Sequence, residues 1–193
     1  MTFSAVILAG GKSSRMGRDK AWLEFDGRAL IARQVELLRQ LPLSEVFISA
    51  SAEGDFAQFG CPLVRDSFPG QGPLAGIEAT MRVMSSPLLL VMAVDMPRMT
   101  ATTLRWLLKN AVPENGVVPR LGGQLEPLAA IYPNATHGLL REVLQAGQNA
   151  AHEFARHCAA SGWVRFLDVS PERGGEFANC NTPAQWAAEL KHD

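Results

Sequence analysis

The feature that most constrains this sequence is the apolar run Phe3–Ala9, which ends in the glycine pair Gly10–Gly11. A short apolar run of this composition bounded by glycine predicts a buried β-strand. The next residues carry four positive side chains within nine positions: Lys12, Arg15, Arg18 and Lys20. Because glycines let a backbone approach a ligand closely, a phosphorylated ligand is the expected occupant. Taken alone, the same residues also fit a glycine turn with a solvated run of charges.

This loop matches neither of the two commonest phosphate-binding fingerprints. A P-loop needs the pattern GxxxxGK[ST], but the residue five positions before Gly11 is Val6. A dinucleotide fingerprint needs GxGxxG, which residues 10–17, GGKSSRMG, do not supply. In an open α/β sheet, ligands bind beyond the carboxyl ends of the strands. The loop is therefore in the right place to wrap a triphosphate.

Apolar runs alternate with stretches of helical periodicity along the rest of the chain. This alternation predicts parallel strands joined by right-handed crossovers, in one α/β domain over residues 1–193 with a mostly parallel central sheet flanked by helices. After the first strand, we predict strands at 45–51, 62–66, 88–94, 116–119, 126–133 and 163–169, and helices at 30–41, 55–59, 74–84, 100–109, 137–146, 150–160 and 183–191.

The composition excludes several classes of protein. The 193 residues are 47% hydrophobic with a net charge of −1, so no basic excess indicates a nucleic-acid partner. No apolar stretch approaches the roughly 18 residues of a membrane span, and the first residues lack the basic region of a signal peptide. Cys61, Cys158 and Cys180 form no CxxC pair and fit a reducing compartment. We expect a cytoplasmic protein that binds neither nucleic acid nor membrane.

A carboxylate follows the most apolar predicted strand. Asp95 comes directly after residues 88–94 and is followed by Met96 and Pro97. The carboxyl ends of parallel strands share one edge of a sheet, so Asp95 should lie near Gly10–Lys20. Mg²⁺ prefers one or two carboxylates together with phosphate oxygens. Asp95 is therefore a candidate magnesium ligand, although an Asp can also cap the turn before Pro97.

Two further segments are candidates for ligand contacts. Residues 65–79, RDSFPGQGPLAGIEA, place glycines and prolines before a helix, where free backbone N–H groups and Gly72 or Gly76 would admit a flat ring. Residues 178–186, ANCNTPAQW, place Asn179 and Asn181 two positions apart. Ordinary turn chemistry and helix capping are the alternatives for these segments. The four histidines have no catalytic or metal-binding spacing.

Five motifs occur in order along the chain: LAGGKSSRMGRDK, GPLAG, AVDMP, EPLAAIYP and NCNTP. Together they resemble the molybdenum cofactor guanylyltransferases (MobA-type), and they span residues 8–183. The first motif alone indicates only the wider nucleotidyltransferase superfamily. LAGG paired with GPLAG is more specific, because the cytidylyltransferase relatives characteristically differ in both places. The resemblance implies a Rossmann-like nucleotidyltransferase fold and transfer of GMP from GTP to molybdopterin, with release of pyrophosphate.

The resemblance also implies roles for individual residues. The catalytic residues would be Arg15 and Lys20, on the phosphates, and Asp95, which would bind Mg²⁺. Asn179 and Asn181 match asparagines near the pterin. A larger set would contact the nucleotide: Leu8, Ala9, Gly10, Gly11, Lys20, Ser49, Asp66, Gly72 and Asp95. Ser49 departs from the family pattern, which often has Asn at this position.

The implied reaction suits these residue types. The attacking group is a terminal phosphate that is already ionised near neutral pH, so no general base is needed. The barrier is repulsion between two anions, which a metal ion and cationic side chains offset. Two other classes stay open: a transferase of the same fold that uses CTP or another phosphorylated acceptor, and a nucleotide-binding regulator without turnover. Transient contacts with proteins that deliver or receive the cofactor are a further expectation.

Overall fold

The structure, a computed structural model, describes residues 1–10, 20–50 and 56–180. The strands are β1 Phe3–Leu8, β2 Glu24–Phe25, β3 Arg28–Ala29, β4 Glu45–Ser49, β5 Leu63–Val64, β6 Leu88–Ala93, β7 Gly116–Leu121, β8 Gln124–Leu125, β9 Ala129–Pro133 and β10 Val164–Asp168. The helices are α1 Leu30–Arg39, α2 Pro73–Met81, α3 Ala101–Asn110, α4 His137–Gln145, α5 Ala151–Ala160 and α6 Pro171–Gly174.

The main sheet has the strand order β10-β7-β9-β6-β1-β4-β5, with β8 paired to β7. Strands β6, β1, β4 and β5 are parallel to one another. Strand β9 is antiparallel to both of its neighbours, β6 and β7. The predicted α/β class with a mostly parallel sheet is confirmed, and β9 is an antiparallel strand in the interior of the sheet.

Helices cover both faces of this sheet. Alternate residues of β1 enter different cores: Phe3, Ala5 and Ile7 pack with α1 and α3, whereas Val6 and Leu8 pack with α2, α4 and α5. Helix α2 is buried at every position from Leu74 to Met81. Because a strand that is buried on both faces needs apolar residues throughout, this layering explains the continuous apolar runs of β1 and β6.

The predicted elements within the described residues are found, with shorter bounds in several cases. The predicted helix at 55–59 is a 3₁₀ turn at Ala57–Phe59, and the strand at 62–66 is reduced to Leu63–Val64. The predicted helix at 183–191 lies outside the described residues. The β2–β3 hairpin was not predicted, although its turn residues Asp26 and Gly27 have φ of 50° and 70°, as Asp-Gly hairpin turns require.

The segment predicted as one strand at 126–133 is a strand only from Ala129, where β9 begins. Arg120 pairs with Leu125, and Val117 pairs with Ile131. The paired positions are three residues apart in β7 but six residues apart in the segment that faces it, so that segment contains three extra residues. The extra residues form a bulge at Glu126–Leu128, where the amide of Ala129 donates to the carbonyl of Glu126 at 3.2 Å. Bulges occur often beside active sites because they redirect side chains.

Within the described ranges, no helix is both long and apolar enough to cross a membrane.

Candidate active site

The carboxyl ends of β1, β4 and β6 meet at one edge of the sheet. Leu8 is in register with Ser49 on one side and with Ala93 on the other. Beyond the strands, the amide of Ala9 donates to the carbonyl of Ser49 at 2.8 Å, and the amide of Val94 donates to the carbonyl of Leu8 at 3.2 Å. These bonds fix the backbone just before Gly10 and just before Asp95, as the sequence analysis expected for residues at one edge.

Lys20 and Asp95 form the charged centre of this edge. Nζ of Lys20 lies 2.8 Å from Oδ2 of Asp95, although the two residues are 75 positions apart. Their side chains are 23% and 15% exposed, respectively, so solvent screens the pair less than an exposed pair. The pair places an ammonium and a carboxylate where a phosphate chain beyond β1 would lie.

Residues of α1 hold the loop that carries Asp95. Gln34 is fully buried, and its Nε2 donates to the carbonyls of Met96 at 2.8 Å and Val94 at 3.4 Å. Nε of Arg33 donates to the carbonyl of Pro97 at 2.8 Å. These bonds fix the backbone on both sides of Asp95. This role was not predicted, although a Gln on the apolar face of α1, between Ile31 and Leu38, was a signal in the sequence.

The chain after α6 returns to the backbone of Asp95. The backbone amide of Cys180 donates to the carbonyl of Asp95 at 3.0 Å, so Asn179 lies beside the Asp95 loop. Phe177 is buried in the core that contains α1 and α3, and Oγ1 of Thr100 donates to Oε2 of Glu176 at 2.5 Å. The segment is thus anchored at two residues before Asn179 and at the residue after it.

Ser49, Asp66 and Gly76 form a second cluster, next to the carboxyl end of β4. Oγ of Ser49 donates to Oδ1 of Asp66 at 3.5 Å, a long hydrogen bond. A Cβ added to Gly76 would lie 2.2 Å from Oγ of Ser49 and 3.0 Å from Cδ2 of Leu8. Only glycine therefore lets the first turn of α2 pack this closely on β1 and β4.

Burial raises the pKa of the Asp66 carboxyl above its usual value. The hydrogen bond from Ser49 acts in the opposite direction, and the charge of Glu78 raises the pKa further. A half-buried carboxyl that is destabilised in its charged form is typical of a ligand site, where a bound donor replaces the lost water.

The approach to α2 has the backbone geometry that the sequence suggested. Gly72 is the N-cap residue with φ of 69° and provides no side chain to the first turn, and Pro73 begins the helix. A helix without a side-chain cap presents backbone N–H groups at its start. A polar ring bound beside Asp66 could accept hydrogen bonds from these groups.

The structure thus brings together most of the described residues that the sequence analysis selected. Leu8, Ala9, Gly10, Ser49, Asp66, Gly72, Lys20, Asp95 and Asn179 follow or adjoin the strand ends at this edge. Gly11, Arg15 and Asn181 lie outside the described residues. The roles of all these residues in binding and catalysis stay predictions.

The donor set at Asp95 suits a hard cation that shares phosphate oxygens. The described part of the chain contains no cluster of three or more His, Cys, Asp or Glu groups that could hold a metal ion. Mg²⁺ needs no such cluster, because it usually keeps several waters and binds one or two carboxylates together with substrate phosphates. The carboxylate of Asp95, which is largely buried at the carboxyl edge of the sheet, fits that requirement.

This chain is similar in sequence to several known proteins. Residues 5–161 match the family described as MobA-like NTP transferase domain. A protein from Rhizobium meliloti named molybdenum cofactor guanylyltransferase is 37% identical over 192 residues, which cover 94% of this chain and 87% of the relative. A protein from Carboxydothermus hydrogenoformans named probable molybdenum cofactor guanylyltransferase is 34% identical, with 97% and 95% covered.

Solved structures show the same fold. Molybdopterin-guanine dinucleotide biosynthesis protein A from Archaeoglobus fulgidus aligns with a TM-score of 0.78 at 22% identity, over 97% of each chain. The 2-C-methyl-D-erythritol 4-phosphate cytidylyltransferase from Thermus thermophilus aligns with a TM-score of 0.73 at 18% identity, over 99% of this chain and 98% of the other. The fold is therefore shared by enzymes named for different nucleotides, and it does not by itself identify the base.

Proposed function

The chain belongs to the family of MobA-like NTP transferase domains, and we propose that it transfers GMP from GTP to the terminal phosphate of molybdopterin. The products are the guanine dinucleotide form of the cofactor and pyrophosphate. Relatives that align over nearly the whole chain carry the name molybdenum cofactor guanylyltransferase. The structural observation that supports group transfer is the Lys20–Asp95 pair, 2.8 Å apart at the carboxyl edge of β1 and β6.

One phosphorus–oxygen bond forms in the reaction and another breaks. An oxygen of the acceptor's terminal phosphate attacks the α-phosphorus of GTP, and the bond to the β-phosphate breaks with its electron pair going to pyrophosphate. The attacking oxygen is already ionised, so the protein needs no base. It has to hold two anions together and stabilise the charge that develops on the leaving group.

We assign the charged roles to Lys20, Arg15 and Asp95. Lys20 would contact the triphosphate, where its ammonium offsets the charge that moves onto pyrophosphate. Arg15 would contact the phosphates from the loop after Gly10. Asp95 would hold Mg²⁺, which when bound supplies positive charge at the phosphate oxygens. Gln34 and Arg33 would keep Asp95 in place through the backbone carbonyls that they contact.

The nucleoside would bind on the β4 side of β1, away from β6 and Asp95. Leu8, Ala9, Gly10 and Gly11 would contact it through the backbone, with Ser49 and Asp66 beyond β4 and β5, and the backbone around Gly72 would read guanine. Asn179 and Asn181 would lie on the pterin side. We also propose a cytoplasmic location, where GTP is abundant. Transient contacts with proteins that deliver or receive the cofactor are a further part of the proposal.

The test is incubation of the purified protein with Mg²⁺, molybdopterin and either GTP, CTP or ATP, with detection of the dinucleotide by mass spectrometry. We expect the guanine dinucleotide and stoichiometric pyrophosphate from GTP. Product from CTP at an equal rate would move the protein to the other transferase class. No product from any nucleotide would contradict the catalytic proposal.

Lys20→Met separates a catalyst from a nucleotide-binding regulator. The variant keeps much of the apolar stem and loses the charge, which should matter more in the transition state than in bound GTP. We expect kcat to fall by a larger factor than the Kd for GTP rises, measured on the same preparation by turnover and calorimetry. A higher Kd for GTP with kcat unchanged would show that Lys20 contributes binding alone, and a regulator would show weakened binding with no turnover in either protein.

A further inference from the structure

The bulge Glu126–Leu128 lies at the same edge of the sheet as Asp95. Strand β9 runs antiparallel to β6, with Met92 opposite Ala129, so the start of β9 lies beside the end of β6. The amide of Ala93 donates to the carbonyl of Leu128 at 2.8 Å. Glu126 thus comes two residues before a direct backbone contact with the strand that delivers Asp95.

Two contacts hold the bulge rigidly. The amide of Glu126 donates to the carbonyl of Pro119 in β7 at 2.9 Å. The hydroxyl of Tyr132 donates to the carbonyl of Pro127 at 3.0 Å. Tyr132 is fully buried and packs against Phe154 with ring centroids 5.4 Å apart. A buried tyrosine that bonds a turn carbonyl fixes the backbone from which Glu126 projects.

The carboxylate of Glu126 is half-buried and has no hydrogen bond or ion pair with any residue in the described ranges. Burial raises the pKa of Glu126 above its usual value, and no described neighbour opposes that shift. A carboxylate that is partly shielded from water without gaining a partner is destabilised in its charged form. Such a group at the edge that carries the charged centre indicates a ligand that supplies the missing donors.

The position of β9 separates Glu126 from the nucleoside. Between β9 and β5 lie β6, β1 and β4. At about 4.8 Å between neighbouring strands, β9 and β5 are about 19 Å apart. Asp66 and Gly72 follow β5, whereas Glu126 precedes β9. Asp95 lies between the two sides, so Glu126 is on the side that the acceptor has to occupy.

We propose that the Glu126 carboxylate binds the pterin ring of the acceptor, by accepting hydrogen bonds from its ring N–H and its exocyclic amino group. The 2-amino-4-oxo pyrimidine ring presents these two donors side by side, and a carboxylate can accept both at once. This assignment rests on the proposed function for the identity of the acceptor. Tyr132 is a positioning residue in this arrangement, since it acts through the Pro127 carbonyl.

The first test compares Glu126→Gln with wild type and with Glu142→Gln, an exposed carboxylate on α4. The amide keeps the size but replaces one acceptor by a donor, so one pterin donor loses its partner. Sites that pair with a polar substrate group discriminate strongly when that pairing fails. We expect the KM for molybdopterin to rise tenfold or more in Glu126→Gln, with kcat and the Kd for GTP within about threefold of wild type.

The second test uses the free rings and does not depend on turnover. Pterin carries the 2-amino group and lumazine carries an oxygen there, so binding is compared by fluorescence titration in the presence of GTP. Wild type and Glu142→Gln should prefer pterin, and Glu126→Gln should bind both rings with similar affinity. Equal binding of the two rings by wild type, or an unchanged preference in Glu126→Gln, would overturn the proposal.

The two proposals fail in different ways. If wild type makes no dinucleotide but still prefers pterin through Glu126, the proposed reaction is wrong and the pterin site stands. If wild type makes the dinucleotide and Glu126→Gln leaves the KM for molybdopterin unchanged, the pterin site is wrong and the reaction stands. A rise in the Kd for GTP in Glu126→Gln would show that Glu126 reads guanine, which also contradicts this proposal.

Discussion

The sheet has two halves that differ in construction, with Asp95 between them. On the proposed nucleotide side, β1, β4 and β5 are parallel and each strand delivers residues from its carboxyl end. On the proposed acceptor side, β9 is antiparallel and Glu126 precedes the strand in a bulge. A parallel half can present only the loops that follow its strands at this edge. An inserted antiparallel strand lets a residue that precedes a strand reach the same edge.

This difference has a consequence for specificity. The nucleotide half is shaped by tight backbone packing, as at Gly76, where added atoms would clash with Ser49. The acceptor half presents a carboxylate from a bulge that is held by backbone bonds and by Tyr132. We therefore expect changes on the two sides to affect the two substrates separately, while changes at Asp95 affect both.

The largest effect is expected at the junction. Asp95→Asn keeps the shape of the side chain but removes the charge that pairs with Lys20 and is proposed to bind Mg²⁺. We expect turnover to fall by about a hundredfold or more, as when a central electrostatic stabiliser is lost. Steady-state kinetics at saturating substrates measure this. Activity near wild type would show that Asp95 is not required for either substrate and would contradict its assignment as a magnesium ligand.

Gly76→Ala tests the nucleotide half alone. The new methyl would lie 2.2 Å from Oγ of Ser49 and 3.0 Å from its Cβ, so the Ser49 side chain or α2 has to shift, at a cost of about 2 kcal/mol. We expect a weaker Kd for GTP and a lower Tm, with the KM for molybdopterin unchanged. Gly138→Ala on α4 is the matched control, because nothing lies within 4 Å of its added Cβ. A loss of acceptor binding in Gly76→Ala would contradict the separation.

Tyr132→Phe tests the acceptor half in the same way. The substitution removes the hydroxyl that bonds the Pro127 carbonyl, which costs about 1 kcal/mol of stability. The bulge loosens, so we expect the KM for molybdopterin to rise a few-fold while the Kd for GTP is unchanged. Thermal unfolding first confirms that the variant is folded. An equal rise in both constants would show that the two halves are coupled.

Asp66→Asn has the smallest expected effect on stability, and its sign depends on pH. Since burial raises the pKa of Asp66 in the folded protein, its stabilising contribution is complete below the unfolded value and is lost as pH rises through the folded value. The variant should therefore gain in Tm relative to wild type at pH 7 but not at pH 3. Calorimetric scans at both pH values measure this. We also expect weaker GTP binding, because the amide cannot replace the charged acceptor.

The parallel half was the easier one to predict from sequence. Asp95 could be placed at the same edge as Gly10–Lys20 from strand periodicity and fold rules alone. Leu8 and Ser49 were selected through the family resemblance, and the register of β1 and β4 places them side by side at that edge. The proximity of Asp95 to the segment that ends at Lys20 followed from the same fold rule and is confirmed by the ion pair between Lys20 and Asp95. The family and the mostly parallel α/β fold are likewise confirmed.

The remaining features depend on contacts that periodicity does not carry. Gln34 acts through two carbonyls more than 50 residues away in sequence. The bulge at Glu126 depends on a register difference between two pairings of β7, which a continuous stretch such as EPLAAIYP does not reveal. Sequence patterns report which face of an element is buried, whereas register and long-range polar contacts arise when the elements are assembled.

The central place of β9 also affects how the chain is made. Strand β6 is buried along its whole length, yet the strand that covers one of its edges ends at Pro133, 40 residues after the end of β6 at Ala93. At about 5–20 residues per second, a ribosome needs about 2–8 seconds to synthesise that stretch. During this time the apolar strand Leu88–Ala93 has an open edge, which is a template for pairing with other chains. Nascent or truncated chains that end before Ala129 are therefore expected to aggregate more readily, and to depend more on chaperones, than chains that include β9.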